Sequence, residues 1–159
     1  MVRTVLLWSM ILAAPLCAQP QRDVFKVDFT IRDSGDAGGK TGRKYSMVVY
    51  SAQKGVFKIG NRVPTPTNNS GGFNYVDVGV NIDCMVQEAA AGRVAVRADL
   101  DLSTAVTTDK TVTMAPTISQ IKVSIEASIP PGKPTIIAGF DDPVTSRKFD
   151  VEALVTQLP

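Results

Sequence analysis

Along FNYVDVGVNIDCMVQE, residues 73–88, apolar and polar positions alternate. Val76, Val78, Val80, Ile82, Cys84 and Val86 fall on one side, and Asp77, Gly79, Asn81, Asp83 and Gln87 on the other, with Met85 the exception. A repeat of two is the strand repeat, so the stretch predicts a long β-strand with one greasy and one wet face. The same period returns along the chain. DVFKVDFTIRD aligns Phe25, Val27, Phe29 and Ile31; RVAVRADLDLS aligns Val94, Val96, Ala98, Leu100 and Leu102. SQIKVSIEASI aligns Ile121, Val123, Ile125, Ala127 and Ile129, and RKFDVEALVTQL aligns Phe149, Val151, Ala153 and Val155. KYSMVVYSAQKGVFKIG reads as two short strands about a turn near Gln53, Lys54 and Gly55, and TIIAGF as a short buried strand.

Turn chemistry separates these runs. DSGDAGGKTGR is a polar, Gly-rich loop and RVPTPTNNSGG a Pro/Asn/Gly loop. AAAGR, PPGKP and DDPVTS are turns, and TAVTTDKTVTMAP is a loop or a weak Thr-rich strand. No helix is expected beyond residue 18, and no fixed-period repeat or second domain is visible. The expectation is a single all-β domain of about seven to nine antiparallel strands, on the strand spacing of such folds. Two architectures fit. A sandwich buries the apolar faces between two sheets. A membrane barrel turns them to lipid and its polar faces to a lumen, with aromatic girdles at both interfaces. Only Phe73 and Tyr75 resemble such a girdle, which favours the sandwich.

The N-terminus reads as an address. In MVRTVLLWSMILAAPLCAQPQR, Arg3 precedes an apolar run from Val5 to Leu16, followed by small residues ending at Ala18. The run is short for a membrane span and fits a signal peptide cleaved after Ala18. Bulky Leu16 argues against a lipoprotein anchored at Cys17. The expected organisation is a signal peptide over 1–18, an N-terminal strand and Gly-rich loop over 19–43, and the main β domain over 44–159. Removal of the signal leaves Cys84 as the lone cysteine, a small core residue with no intramolecular disulfide partner.

Composition narrows the function. With 17 basic and 15 acidic residues the net charge is +2, and no like-charge run marks a nucleic-acid surface. There is no His, so a Ser or Cys nucleophile has no imidazole base. SGDAGGKT, from Ser34 to Thr41, resembles a phosphate-cradling loop, but Ser34 stands where the first Gly belongs and a strand follows in place of the required helix. Asp77, Asp83, Asp99 and Asp101 offer oxygen ligands for Ca²⁺, yet such sites use closely spaced loop ligands. The simpler expectation is a solvated face on which Arg93 and Arg97 offset these carboxylates across strands. Asn68–Asn69–Ser70 matches a glycosylation acceptor, read here only as polar loop. No catalytic residue, metal site or cofactor is expected; the chain reads as non-catalytic, with protein partners.

Taken in order, GNRVPTPT, YVDVGVNIDCMV, RVAVRADLDLS and PTISQIKVSIEASIPPGKPTIIAGF resemble the C-terminal homology domain of secretins. Gly60, Val63 and Pro64 match the first element, and Tyr75, Asp77, Val78 and Gly79 the second. Ser103 matches the third, and Gly132 with Gly139 the last. The resemblance covers about residues 44–158. It implies a place in the periplasm or outer membrane of a didermic bacterium and a non-enzymatic role in protein secretion or pilus export. Each subunit of that family supplies strands to a shared barrel, and the expected partners are secretion machinery or further copies, with membrane association possible in principle.

The chain also departs from the family. Ring-building domains precede this region in secretins, whereas residues 19–43 alone stand between the signal and the domain here. DDPVTSR replaces a long Pro-, Leu- and Gly-rich insert, and gate hairpins are missing or very short between Pro64 and Phe73. No pore-lining or gate residue is therefore carried over. The alternative is a free-standing periplasmic sandwich binding a partner through its strand edges or the loop from Pro64 to Gly72. Pro64 and Pro66 ending one strand, Pro130, Pro131 and Pro134 flanking another, and Lys122 and Lys148 on wet faces would protect its edges. These devices predict a soluble monomer or small oligomer.

Overall fold

The computed structural model describes residues 23–34, 42–67, 72–106, 116–142 and 147–159. The signal-like segment, the glycosylation-type Asn68–Ser70 and most of the Gly-rich and Thr-rich loops lie outside them. Among these residues eight strands run in order: β1 (Val24–Asp33), β2 (Arg43–Tyr50), β3 (Lys54–Pro66), β4 (Phe73–Ala89), β5 (Arg93–Val106), β6 (Thr117–Ile129), β7 (Thr135–Asp141) and β8 (Lys148–Leu158). A short 3-10 turn, Ala90–Gly92, joins β4 to β5. The domain is all-β, as its alternation predicts.

The strands form two four-stranded antiparallel sheets. Sheet A has the order β2-β1-β8-β7, and sheet B is a meander, β3-β4-β5-β6. The strand in the 19–43 segment is thus an interior strand of sheet A, ladder-bonded to β8 along its length, from Val24 opposite Leu158 to Asp33 opposite Phe149. The apolar faces meet as a sandwich. Phe25, Val27, Phe29 and Ile31 on β1 and Phe149, Val151, Ala153 and Val155 on β8 close over Ile82, Cys84 and Val86 on β4 and Val94, Val96, Ala98 and Leu100 on β5. Ile125 and Ile129 of β6 complete the core. Two tight turns carry the chain between sheets. Ala52, at φ 57°, donates its N–H to the Val86 carbonyl at 2.8 Å, and Gly132, at φ 74°, donates to that of Val155 at 2.8 Å.

The sheets differ in length. β4 has 17 residues, roughly 55 Å at the usual rise per residue. β1 has 10 and β8 has 11. Sheet A therefore covers only the part of sheet B nearest the Ala90–Gly92 turn, and β4 has no fully buried residue beyond Ile82 toward Phe73. Ile59, on the apolar face of β3 past this point, is 59% exposed.

Three expectations need correction. RVPTPTNNSGG is not all loop: β3 runs through Pro66, with Pro64 opposite Tyr75 and Pro66 opposite Phe73. Proline is tolerated because β3 is an edge strand, where a missing N–H can face outward. The strand after the Gln53 turn is accordingly long, at 13 residues. TIIAGF is not a buried strand: β7 is the outer edge of sheet A, interrupted by a bulge between Ile136 and Ala138, and Ile136 is exposed.

Candidate functional site

Beyond the sandwich, sheet B divides. β4 and β5 are paired from Ala89 opposite Arg93 up to Val80 opposite Leu102. Past that point β4 stays with β3, out to Phe73 opposite Pro66, while β5 stays with β6, out to Val106 opposite Thr117. The result is a fork of two hairpins.

Gly60, Gly79 and Ser103 meet at the fork. Gly60 and Gly79 are cross-strand partners, and Gly79 has φ +150°, a region that side chains disfavour. A Cβ on Gly79 would lie 2.2 Å from the Ile59 carbonyl oxygen, and one on Gly60 would lie 2.2 Å from that of Val78. Only glycine at both positions lets the two backbones come this close. The Gly79 N–H, freed from the β4–β5 ladder, donates to Ser103 Oγ at 3.0 Å. The Ser103 hydroxyl reaches back toward the Gly79 carbonyl at 3.4 Å.

On the polar face Gly60, Gly79 and Ser103 line a notch of about 430 Å³, bordered by Lys58, Arg62, Asp77, Asn81, Asp101 and Gln120. Arg62 Nε donates to Asp77 Oδ1 at 3.0 Å. Gln120 Nε2 lies 2.9 Å from both oxygens of Asp101, and Lys122 pairs with the same carboxylate at 3.6 Å. Below the notch Asp83 stands opposite Asp99, and Lys54 binds Asp83 at 2.5 Å. That hydrogen bond holds the Lys54 ammonium above its ordinary pKa.

Cross-strand pairing offsets Asp77, Asp83 and Asp101, but through other partners than Arg93 and Arg97, while Asp99 faces Arg97 and Lys54 through charge alone. Arg97 pairs with Glu126 at 2.8 Å and Arg93 with Ser128. The paired cations are Arg62, Lys54 and Lys122, which face Asp77, Asp83 and Asp101 from strands whose register periodicity does not specify. Among the described residues no three His, Cys, Asp or Glu side chains group as metal ligands. Ser34, at the head of the phosphate-loop-like motif, is taken up by β8: its N–H donates to the Lys148 carbonyl at 2.9 Å and its Oγ accepts from the Lys148 N–H at 2.8 Å. Arg43 opens strand β2, so a strand follows the motif.

The other family-type positions divide between the sheets. Val63 and Pro64 on β3 and Tyr75, Asp77 and Val78 on β4 share the hairpin of the glycine pair. Gly132 lies in the β6–β7 turn and Gly139 on β7, opposite Asp150, so neither joins the fork. At the hairpin tip Phe73 and Tyr75 are 60% and 64% exposed, and no charged residue occurs between Val63 and Val76. Lys58, Arg62, Asn81 and Gln120 are the neighbours that sequence reading passes over. Each is an ordinary polar residue until the register sets it beside the glycines.

Cys84 is buried in the core with its pKa pushed up to about 12 by desolvation. The sign follows: the unfolded thiol ionises at lower pH than the folded one, so this group's contribution is intact below about pH 9 and declines toward pH 12. Thiol alkylation at pH 8 is expected to leave the native chain unlabelled and to label it fully in denaturant. Rapid native labelling would place Cys84 outside the core.

No family model matches the sequence, and no curated protein matches it significantly. Solved structures do. The InvG secretin-domain β-barrel of the Salmonella SPI-1 injectisome superposes with a TM-score of 0.56 at 11% identity, over 87% of this chain and 62% of that one. The type II secretin GspD of enteropathogenic Escherichia coli gives 0.56 at 10% identity, over 87% and 66%. PulD in the Klebsiella pneumoniae type II secretion outer membrane complex, solved with PulS and the PulC HR domain, gives 0.56 at 10% identity, over 87% and 38%. The chain thus spans less than two thirds of these secretin chains. The two-sheet sandwich with its longer, forked meander has the fold of secretin domains.

Proposed function

We propose that this chain is a non-catalytic structural component of a bacterial secretion or pilus export system, exported to the cell envelope, where its strand edges join those of other copies or of partner proteins. The observation that carries this reading is the secretin-domain fold with both sheets open at both edges among the described residues, β2 and β7 in sheet A and β3 and β6 in sheet B. Unpaired edges are a liability that closure into a shared barrel removes. The overhang of sheet B supports the same reading, since Ile59 sits on an apolar face that sheet A leaves uncovered. Pro64 and Pro66 do not close β3 off, because they stand at its far end and leave Lys54–Val63 able to pair. The uncharged tip bearing Phe73 and Tyr75 suits a membrane interface, where aromatic rings collect.

The edge prolines and lysines alone predict a soluble monomer or small oligomer; on the present reading the open edges and the uncovered apolar face outweigh them, and protein extracted from native membranes in mild detergent is expected to form rings or arcs by electron microscopy and a large species by light scattering. Its mass is expected to correspond to a chain beginning at or near Gln19. A full-length cytoplasmic chain retaining Met1 would sink the envelope assignment. A monodisperse soluble monomer would instead favour a free-standing periplasmic binding module, a reading supported by Lys122 on β6 and the bulge on β7.

A further inference from the structure

The notch beside the fork belongs to neither the core nor an edge, and its chemistry is selective. Its carboxylates are engaged: Asp77 is tied to Arg62, and Asp101 to Lys122 and Gln120. A cation therefore meets no free carboxylate, while Lys58 stands at the rim as a cation without an ion pair among the described residues. Three ligating side chains for a metal are not grouped among the described residues. Ile59, Val78 and Val80 also line it, from strand positions that alternate to the opposite face, and a wholly apolar ligand would leave the polar side of the notch unpaired. What remains is a group that can accept from an ammonium and also donate a hydrogen bond.

Asn81 says which kind. Its Oδ1 is closed off from solvent and has no hydrogen-bond partner among the described residues. An unmet acceptor of this sort is costly, and pairing it recovers that cost. The terminal torsion of Asn is broad, so a modest turn of the amide brings it to face the notch. Lys58 stands opposite Asn81 on β3, borders the same notch and forms no ion pair among the described residues. Its ammonium is a donor for a carbonyl. Gly60 and Gly79 line the notch with main chain and bring no side chain of their own into it.

We propose that this notch binds a main-chain amide of an extended polypeptide, its N–H given to Asn81 Oδ1 and its carbonyl accepting from Lys58 Nζ. An amide carries both a donor and an acceptor, so it satisfies Asn81 whichever way that side chain is turned. A notch of about 430 Å³ holds a residue or two, which makes this a weak, sequence-tolerant contact along a passing or partner chain.

The test is a titration of the ¹⁵N-labelled full chain with acetyl-Gly-Gly-amide, with acetate, ammonium and N-acetylglucosamine as separate arms. Saturable shifts confined to Gly60, Gly79, Asn81 and Ser103 are expected, in the millimolar range typical of one or two hydrogen bonds. Asn81→Ala is expected to weaken binding about fivefold to tenfold, the share of one neutral hydrogen bond. Asn81→Asp keeps the shape and the acceptor, and is expected to hold the peptide within about threefold of the parent chain while gaining affinity for ammonium. No saturation, equal binding by Asn81→Ala, or tighter binding of acetate, ammonium or the sugar to the parent chain would overturn the proposal.

Discussion

Ile82→Asp is expected to leave no folded protein, and Ile82→Ala a folded one that has lost about 2–5 kcal/mol. Ile82 is completely buried, at 0% exposure, between Phe57 on β3 and Leu100 on β5 in the sheet, with its face turned to β1 and β8. Truncation leaves a cavity in a close-packed interior. A carboxylate there has no cation to meet and must either stay protonated or disrupt the sandwich. Ile59→Asp provides the contrast. It lies on the same face past the end of sheet A, and in the isolated chain is expected to shift stability by no more than about 0.5 kcal/mol. Denaturant melts followed by circular dichroism measure all three. A cooperative melt for Ile82→Asp would mean that the covered face is not a protein core.

Gly79→Ala has the second large effect. The methyl would lie 2.2 Å from the Ile59 carbonyl oxygen and 2.5 Å from Gly60 Cα, both main chain, so the strands themselves must part. The φ of +150° adds about 1–3 kcal/mol of backbone strain for any side chain. The expected outcome is a loss exceeding that range, with hydrogen exchange rising first in β3 and β4 above Val80. Ser103→Ala removes only the hydroxyl that receives the Gly79 N–H, and is expected to cost about 0.5–1.5 kcal/mol. If Gly79→Ala costs no more than Ser103→Ala, the close approach of β3 and β4 is not what sets the fork.

Periodicity by itself determined which faces are apolar. Phe25, Val27, Phe29 and Ile31, the Ile82–Val86 run, the Val94–Leu100 run and Phe149–Val155 all enter the core their alternation points to, because a strand's side chains have only two directions to choose from. Turn chemistry marked the corners at Ala90–Gly92 and Pro130–Pro134. The ordered pattern from Gly60 through Gly139 also pointed to the secretin-domain fold that the structural neighbours share. Local signals failed where the answer depended on a strand's place in its sheet. Proline at 64 and 66 reads as a loop, and becomes a strand end only because β3 has a neighbour on one side alone. TIIAGF reads as buried, and is an edge because β7 is the last strand added to sheet A.

The candidate site divides in the same way. Gly60, Gly79 and Ser103 stood out in the sequence as separate marks, but nothing local says that two glycines 19 positions apart face each other. Register decides that, and register is a property of pairs of strands. It also chose Arg62, Lys54 and Lys122 as the partners of Asp77, Asp83 and Asp101, where sequence reading had assigned Arg93 and Arg97. Alternation told which residues look inward and which outward; only the packing of a short sheet on a long one decided where inward means core, where it means an uncovered apolar face, and where the meander is free to fork.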